Sequence, residues 1–153
     1  GYAAITDLSE ESPHDGVATY KITLAGAGAP EEVNGTKQVE TAEVVGAVTT
    51  AGNATFTVIA AGMTGSPKAI SVAVALNDSA AVVAQKAREA LAADSAVTAK
   101  FSVGGYGAIV ELTALTAVAN DSTLNIAIAN GTCAGLTAAP VSANTTPGVA
   151  PAA

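Results

Sequence analysis

A chain of 153 residues with no Trp and only 3% aromatic residues must build its core from Val, Ile, Leu and Ala, which excludes the aromatic-dominated cores common elsewhere. A formal charge of −7 argues against a basic grip on nucleic-acid phosphates. One Cys and one His exclude an intrachain disulfide and leave no spacing pattern for a zinc site.

The length suits one ordinary domain or two small ones. Eight of the 13 acidic residues (Asp7, Glu10, Glu11, Asp15, Glu31, Glu32, Glu40 and Glu43) fall within residues 1–43, against Lys21 and Lys37 alone. The remainder is nearly neutral and rich in Ala, Thr, Val and Asn, and this shift places a boundary near Asn34-Gly35. The mean hydropathy of +0.43 comes from small residues. No apolar run reaches the roughly 20 residues of a membrane span, and no signal-peptide pattern opens the sequence. The only methionine is Met63, so Gly1 is expected to be a processed, trimmed or partial start.

The first 30 residues offer two strands, Tyr2–Leu8 and Gly16–Leu24. In the second, Ala18, Tyr20, Ile22 and Leu24 alternate with Thr19, Lys21 and Thr23, the period-two pattern of a strand buried on one face. A two-stranded hairpin is marginal in water, so this apolar face needs a partner. The partner is the rest of the chain, a neighbouring subunit, or residues preceding Gly1.

Residues 25–38 carry Gly, Pro and Asn-Gly signals and read as linker sequence, and the linker between the two units is placed at 31–40. Beyond it, Thr41–Thr49 is expected as a strand, Ala51-Gly52-Asn53 as a turn, Ala54–Ala60 as a strand and Gly62–Pro67 as a loop. In Ala69–Leu76, Ile70, Val72, Val74 and Leu76 share one face. One helix follows, over about 79–93. Asp78 is its expected N-cap, and Ala80, Val83, Ala84, Ala87, Ala90 and Leu91 form its buried face, opposite Gln85, Arg88 and Glu89.

Val97–Val103 is the next expected strand, turning at Gly104-Gly105 into Ala108–Leu115. Asn120-Asp121-Ser122 turns into Thr123–Ala129, and Asn130-Gly131 predicts a two-residue hairpin. Residues 140–153, with Pro140, Pro147 and Pro151, are expected to be extended or disordered. The fold class is therefore α+β and mostly β. A hairpin over 1–30 completes a larger or intersubunit sheet, and a multi-stranded domain over 41–139 is covered by one helix.

The inventory for chemistry is poor. His14 lies in the turn sequence Ser12-Pro13-His14-Asp15-Gly16, and Cys133 falls in the other proposed unit, so no Cys–His pair is expected. No Gly-x-Ser-x-Gly elbow surrounds a serine. The neighbours Glu10-Glu11 and Glu31-Glu32 diverge on a strand and form no acid/base dyad. Asp78 and Asp121 each follow Asn and suit turns or caps. Gly26-Ala27-Gly28 and Gly104-Gly105-Tyr106-Gly107 lack the context of nucleotide-binding loops. Asn-x-Ser/Thr triplets begin at Asn34, Asn53, Asn77, Asn120, Asn130 and Asn144, and the abundance of Asn, Ser and Thr in turns accounts for them. No catalytic, cofactor-binding or metal-ligating residue, and no cofactor, is expected.

Residues 1–30 combine an opening GYAAIT strand, an acidic loop with Ser-Pro and Asp-Gly, and the closing run VATYKITLAGAGAP. In these features the segment resembles the C-terminal strands of major tail tube proteins of long-tailed bacteriophages. Thr41–Pro147, with SPKAISVAVALNDSAAVVAQKAREALAADSAVTAKFSVGG as its most recognisable stretch, looks like the small modules of phage tail and other virion proteins.

The resemblance implies a non-enzymatic virion protein, assembled in the bacterial host cytoplasm. Its partners would be copies of itself in a symmetric assembly and other virion proteins, with no membrane. Tyr2, Ile5, Tyr20, Ile22 and Leu24 are the expected assembly residues. A tube subunit has more strands than these two. The chain is thus either the C-terminal portion of one or another virion protein joining a sheet through this hairpin. A capsid decoration protein is one alternative. A surface adhesion or carbohydrate-binding module drawing on Tyr2, Tyr20, Tyr106, Phe56 and Phe101 is another.

Overall fold

The computed structural model describes residues 3–11, 19–26, 35–137 and 142–152. The chain divides into two compact units, Gly1–Val33 and Asn34–Pro151. Its fold is α+β and mostly β.

In the first unit, β1 (Ala3–Glu11) and β2 (Thr19–Gly26) pair antiparallel. Ile5 stands opposite Leu24, Leu8 opposite Ile22 and Glu10 opposite Tyr20, with the register shifting between Ile5 and Asp7. Such a bulge inserts one extra residue into a strand. It lets Ile5 and Leu8, three apart in sequence, oppose two residues of β2 that are two apart.

The second unit contains β3 (Val39–Glu43), β4 (Gly46–Thr50), β5 (Gly52–Ile59), β6 (Lys68–Val74), β7 (Phe101–Gly104), β8 (Ile109–Ala114), β9 (Asn125–Ala129), β10 (Ala134–Leu136) and β11 (Ala143–Thr146). Between β6 and β7 lie α1 (Ala80–Ala93) and the short α2 (Ser95–Thr98). A four-stranded sheet runs β11-β3-β8-β7, a three-stranded sheet β6-β5-β9, and β10 pairs with β4. Every pairing is antiparallel.

Alternation builds the core. Ala54, Phe56 and Val58 on β5, Ile70, Val72 and Val74 on β6, and Ile126 and Ile128 on β9 are all buried. They join Ala42, Val110 and Leu112 of the four-stranded sheet in one hydrophobic cluster. α1 closes it through Val83, Ala84, Ala87 and Leu91, the face that its 3.6-residue period predicts. Burying a side chain the size of Phe56 or Leu91 contributes about 1.5–3 kcal/mol each. Leu76, expected to continue the buried face of β6, is exposed, because β6 ends at Val74.

Several expected boundaries move. Thr41–Thr49 is not one strand: it breaks after Glu43, and its halves join different sheets. Gly46 makes the crossing at φ +95°, and a Cβ there would collide with the Gly135 carbonyl, so the approach of β4 to β10 requires glycine. Gly52 and Asn53, expected in a turn, begin β5. Val97 and Thr98, expected to begin a strand, are helical, because Asp94 Oδ1 accepts from the Ala96 and Val97 amides and caps α2.

The N-cap of α1 is Ser79, not Asp78. Ser79 Oγ accepts from the Val82 amide, while Asp78 Oδ2 accepts from the Ala75 amide at 2.8 Å and pairs with Lys86 Nζ. Asn77, at φ +70°, turns the chain so that the Asp78 carboxylate points back along it.

Asn130-Gly131 turns tightly but makes no hairpin. β9 is already paired with β5, and the Asn130 side chain brackets the Leu136 backbone, donating to its carbonyl and accepting from its amide. β10 is thereby delivered to β4.

The expected linker and tail also change. Thr36 bridges Val149, and Val39–Glu43 is a strand, so residues 36–40 belong to the second unit. Residues 142–152 are not a free end, since β11 pairs with β3. Residues 31–34 and 138–141 lie outside the described residues.

Candidate functional site

Of the expected assembly residues, Tyr2 lies outside the described residues. The other four share one stretch of ladder, with Ile5 opposite Leu24 and with Tyr20 and Ile22 following along β2. Among the described residues β1 and β2 pair only with each other. Each strand therefore carries a second edge of backbone donors and acceptors outside the ladder.

His14 also lies outside the described residues. Cys133 is a buried free thiol whose Sγ donates to the Asn130 carbonyl at 2.8 Å. Phe56 and Phe101 are core residues, and Tyr106 is 78% exposed. Among the described side chains, a stacking platform for a sugar is thus reduced to Tyr106.

The polar chemistry of the second unit converges where β3, β9 and β11 meet. The buried face of β3 runs Gln38, Glu40, Ala42 and Val44, so a period-two stripe that is apolar at one end becomes polar at the other. Gln38 clamps the turn before β9: its Oε1 accepts from the Asp121 amide at 2.7 Å, and its Nε2 donates to the Asp121 carbonyl at 3.0 Å. The Asp121 carboxylate accepts from the Ala61 and Thr123 amides and from the Thr123 hydroxyl. Burial pushes that carboxyl up, but these hydrogen bonds outweigh it and hold the group below its usual range.

Glu40 is 2% exposed. Its Oε1 meets the Ser142 hydroxyl, while its Oε2 is buried and finds no hydrogen-bond partner among the described residues. Burial raises the Glu40 carboxyl, the Ser142 hydrogen bond opposes this, and the Asp121 charge adds to the rise. Ser142 Oγ also accepts from the Ile126 amide at 3.0 Å and lies 2.6 Å from Asn125 Oδ1.

A hydroxyl has one proton to donate, yet two oxygens, Glu40 Oε1 and Asn125 Oδ1, stand within its reach. Turning the Asn125 amide end for end would supply an N–H to Ser142 but nothing to Glu40 Oε2. In either orientation Glu40 Oε2 is left without a donor among the described residues.

These groups line a pocket of about 370 Å³, together with Asp121, Thr123 and Asn144. A second hollow of about 620 Å³ shares Asp121, Ser122 and Leu124 with the first and is also lined by Phe101, Leu115, Val118, Lys100 and Gln38. Lys100 donates to the Ala61 carbonyl at 2.8 Å.

In the sequence Glu40 is one acid among eight in an acidic segment, and Ser142 lies in a proline-bearing tail. The signal that points to Glu40 is its phase: counting back by twos from Val44 and Ala42 places it on the buried face. Nothing local points to Ser142. Among the described residues no three His, Cys, Asp or Glu side chains gather as a metal cluster, and no helix is long and apolar enough to cross a membrane. No protein-family model, curated protein or solved structure matches the chain.

Proposed function

We propose that this chain is a structural subunit of a bacteriophage-like virion, in which β1 and β2 extend a neighbouring subunit's sheet and the second unit forms an outer module. The observation that carries the reading is the isolation of the β1–β2 ladder, which among the described residues pairs with no third strand. A two-stranded sheet is marginal alone, and strand addition to a neighbour's edge is the direct way to complete it. Repeated between identical copies, that contact builds a symmetric assembly.

The phage setting comes from the likeness of residues 1–30 to the closing strands of tail tube proteins. Tail tube is favoured over capsid decoration on the same ground. Function in this reading resides in backbone pairing along Ile5, Tyr20, Ile22 and Leu24, and no single side chain carries it.

Ile22→Pro tests the reading, since proline removes a backbone donor from the ladder. Sedimentation and particle-incorporation assays are expected to show loss of association for Ile22→Pro, while His14→Ala and Cys133→Ser associate as the parent does. Normal association of Ile22→Pro together with failure of His14→Ala would overturn the proposal and direct attention to His14.

A further inference from the structure

The Glu40 pocket has the donor set of a hard-cation site. Its lining is Glu40, Asp121, Asn125, Ser142 and Asn144 with Ser122, Thr123 and Leu124, and it contains no Lys, Arg or His. Asn144 uses its Nδ2 to donate to Asn120 Oδ1 at 2.7 Å, which leaves its own carbonyl oxygen able to accept. Glu40 Oε2 is the independent pointer, a carboxylate oxygen on a residue 98% removed from solvent that has no partner among the described residues.

A buried, unpaired carboxylate is costly, and with Asn125 Oδ1 facing Ser142 one hydroxyl proton is left to serve two oxygens. A divalent ion removes both problems together, because it accepts several oxygens at once and needs no donor hydrogens.

We propose that this pocket binds a hard divalent cation of the calcium class, held by Glu40 Oε2 with Asn125, Ser142 and Asn144 as neutral oxygen donors and Asp121 as a flanking negative charge. Calcium takes six to eight oxygens in flexible geometry, whereas magnesium demands a stricter octahedron. A set drawn from three strands, β3, β9 and β11, and the segment entering β11 fits the former. With one directly ligating carboxylate, the expected affinity is that of weak extracellular modules, a Kd of about 10⁻⁴–10⁻³ M. The site lies within the second unit and does not depend on the assembly reading.

The test is a thermal melt and a calorimetric titration of the full chain with CaCl2, with NaCl at matched ionic strength as the control. Calcium at about 10 mM is expected to raise the wild-type Tm by about 5–11 °C and to titrate at one site per chain. Glu40→Gln, which keeps the shape and removes the charge, is expected to abolish both responses. Glu43→Gln, an exposed carboxyl on the same strand, keeps them.

Two outcomes overturn the proposal. If calcium moves neither Tm nor heat in the wild type, and Glu40→Gln melts at or above the wild-type temperature, Glu40 is a neutral acid within a closed hydrogen-bond network. If Glu40→Gln retains the calcium response, the ion binds elsewhere. Should Glu40→Gln fail to fold, the wild-type titration still decides, because absence of a one-site heat refutes the site.

Discussion

Ser142 and Glu40, 102 residues apart in sequence, are joined by a hydrogen bond that fastens the segment entering β11 to the buried face of β3. The same hydroxyl is the acceptor for the Ile126 amide. Ser142→Ala therefore strips a backbone donor and a buried carboxyl of partners in one change. Leaving buried polar groups unsatisfied costs about 1–3 kcal/mol, and urea denaturation is expected to show a loss of that size. A loss below about 0.5 kcal/mol, the level of an ordinary surface change, would mean that water replaces the hydroxyl freely.

The helix was the most legible element because its signals are local. Cap chemistry gathers at Asn77-Asp78-Ser79, though the cap is Ser79 and not the expected Asp78, and its apolar residues recur at 3.6-residue spacing up to Asp94. Ala87 is fully buried on the stripe that packs against both sheets, and Gln85 is exposed on the opposite side. Ala87→Phe overpacks a filled space and is expected to cost at least about 1–3 kcal/mol, while Gln85→Phe changes stability little. Equal effects in paired denaturation curves would contradict this orientation.

Strand partners were far less legible than strands. Most strands here are runs of Ala, Val, Thr and Ile, and alternation assigns a face without naming a neighbour. The choice is made by polar side chains acting at a distance, such as Gln38 on the Asp121 backbone and Asn130 on the Leu136 backbone. The candidate site was hidden for the same reason. The phase of Glu40 was readable, but its partner Ser142 is supplied by a strand pairing that no local pattern announces.

Asn130 offers a direct check on this account. Its amide makes two hydrogen bonds to Leu136, at 2.8 and 3.0 Å, in a partly buried setting. Asn130→Ala is expected to cost about 1–3 kcal/mol. Amide hydrogen exchange should accelerate in β10 and β4 before it does in β5 and β6. Uniform acceleration across all sheets would show that Asn130 does not act as a local bracket.

The acid limb of stability follows from two ion pairs. The hydrogen bond from Lys86 holds the Asp78 carboxyl below its usual value, and the hydrogen bond from Lys68 does the same for Asp94. A depressed folded-state pKa gives stability that is fully present above the unfolded value near 3.8. It is lost as pH falls through the folded value. Both pairs are partly exposed, so the effect is modest and weakens with salt. Lys68→Met with Lys86→Met is expected to flatten the fall in stability below about pH 4, measured by urea midpoints at low ionic strength. An unchanged slope would remove these pairs from the acid response.

The last prediction concerns where the second unit begins and ends. Gln38 and Glu40 are buried in it, Thr36 bridges Val149, and β11 lies beside β3. A truncated chain of residues 34–153 is therefore expected to fold alone and unfold cooperatively, since it keeps the whole hydrophobic cluster. Ending the chain at residue 139 removes β11, the Ser142 hydroxyl and the Val149 bridge. That leaves one edge of β3 without its partner strand and strips the Glu40 carboxyl of the one hydrogen bond it makes among the described residues. The shorter chain is expected to lose several kcal/mol, because a broken buried polar network and a lost strand act together. Calorimetry on the two truncated chains decides the matter. Equal transition temperatures would show that residues 140–153 contribute nothing to the fold, contrary to the pairing of β11 with β3.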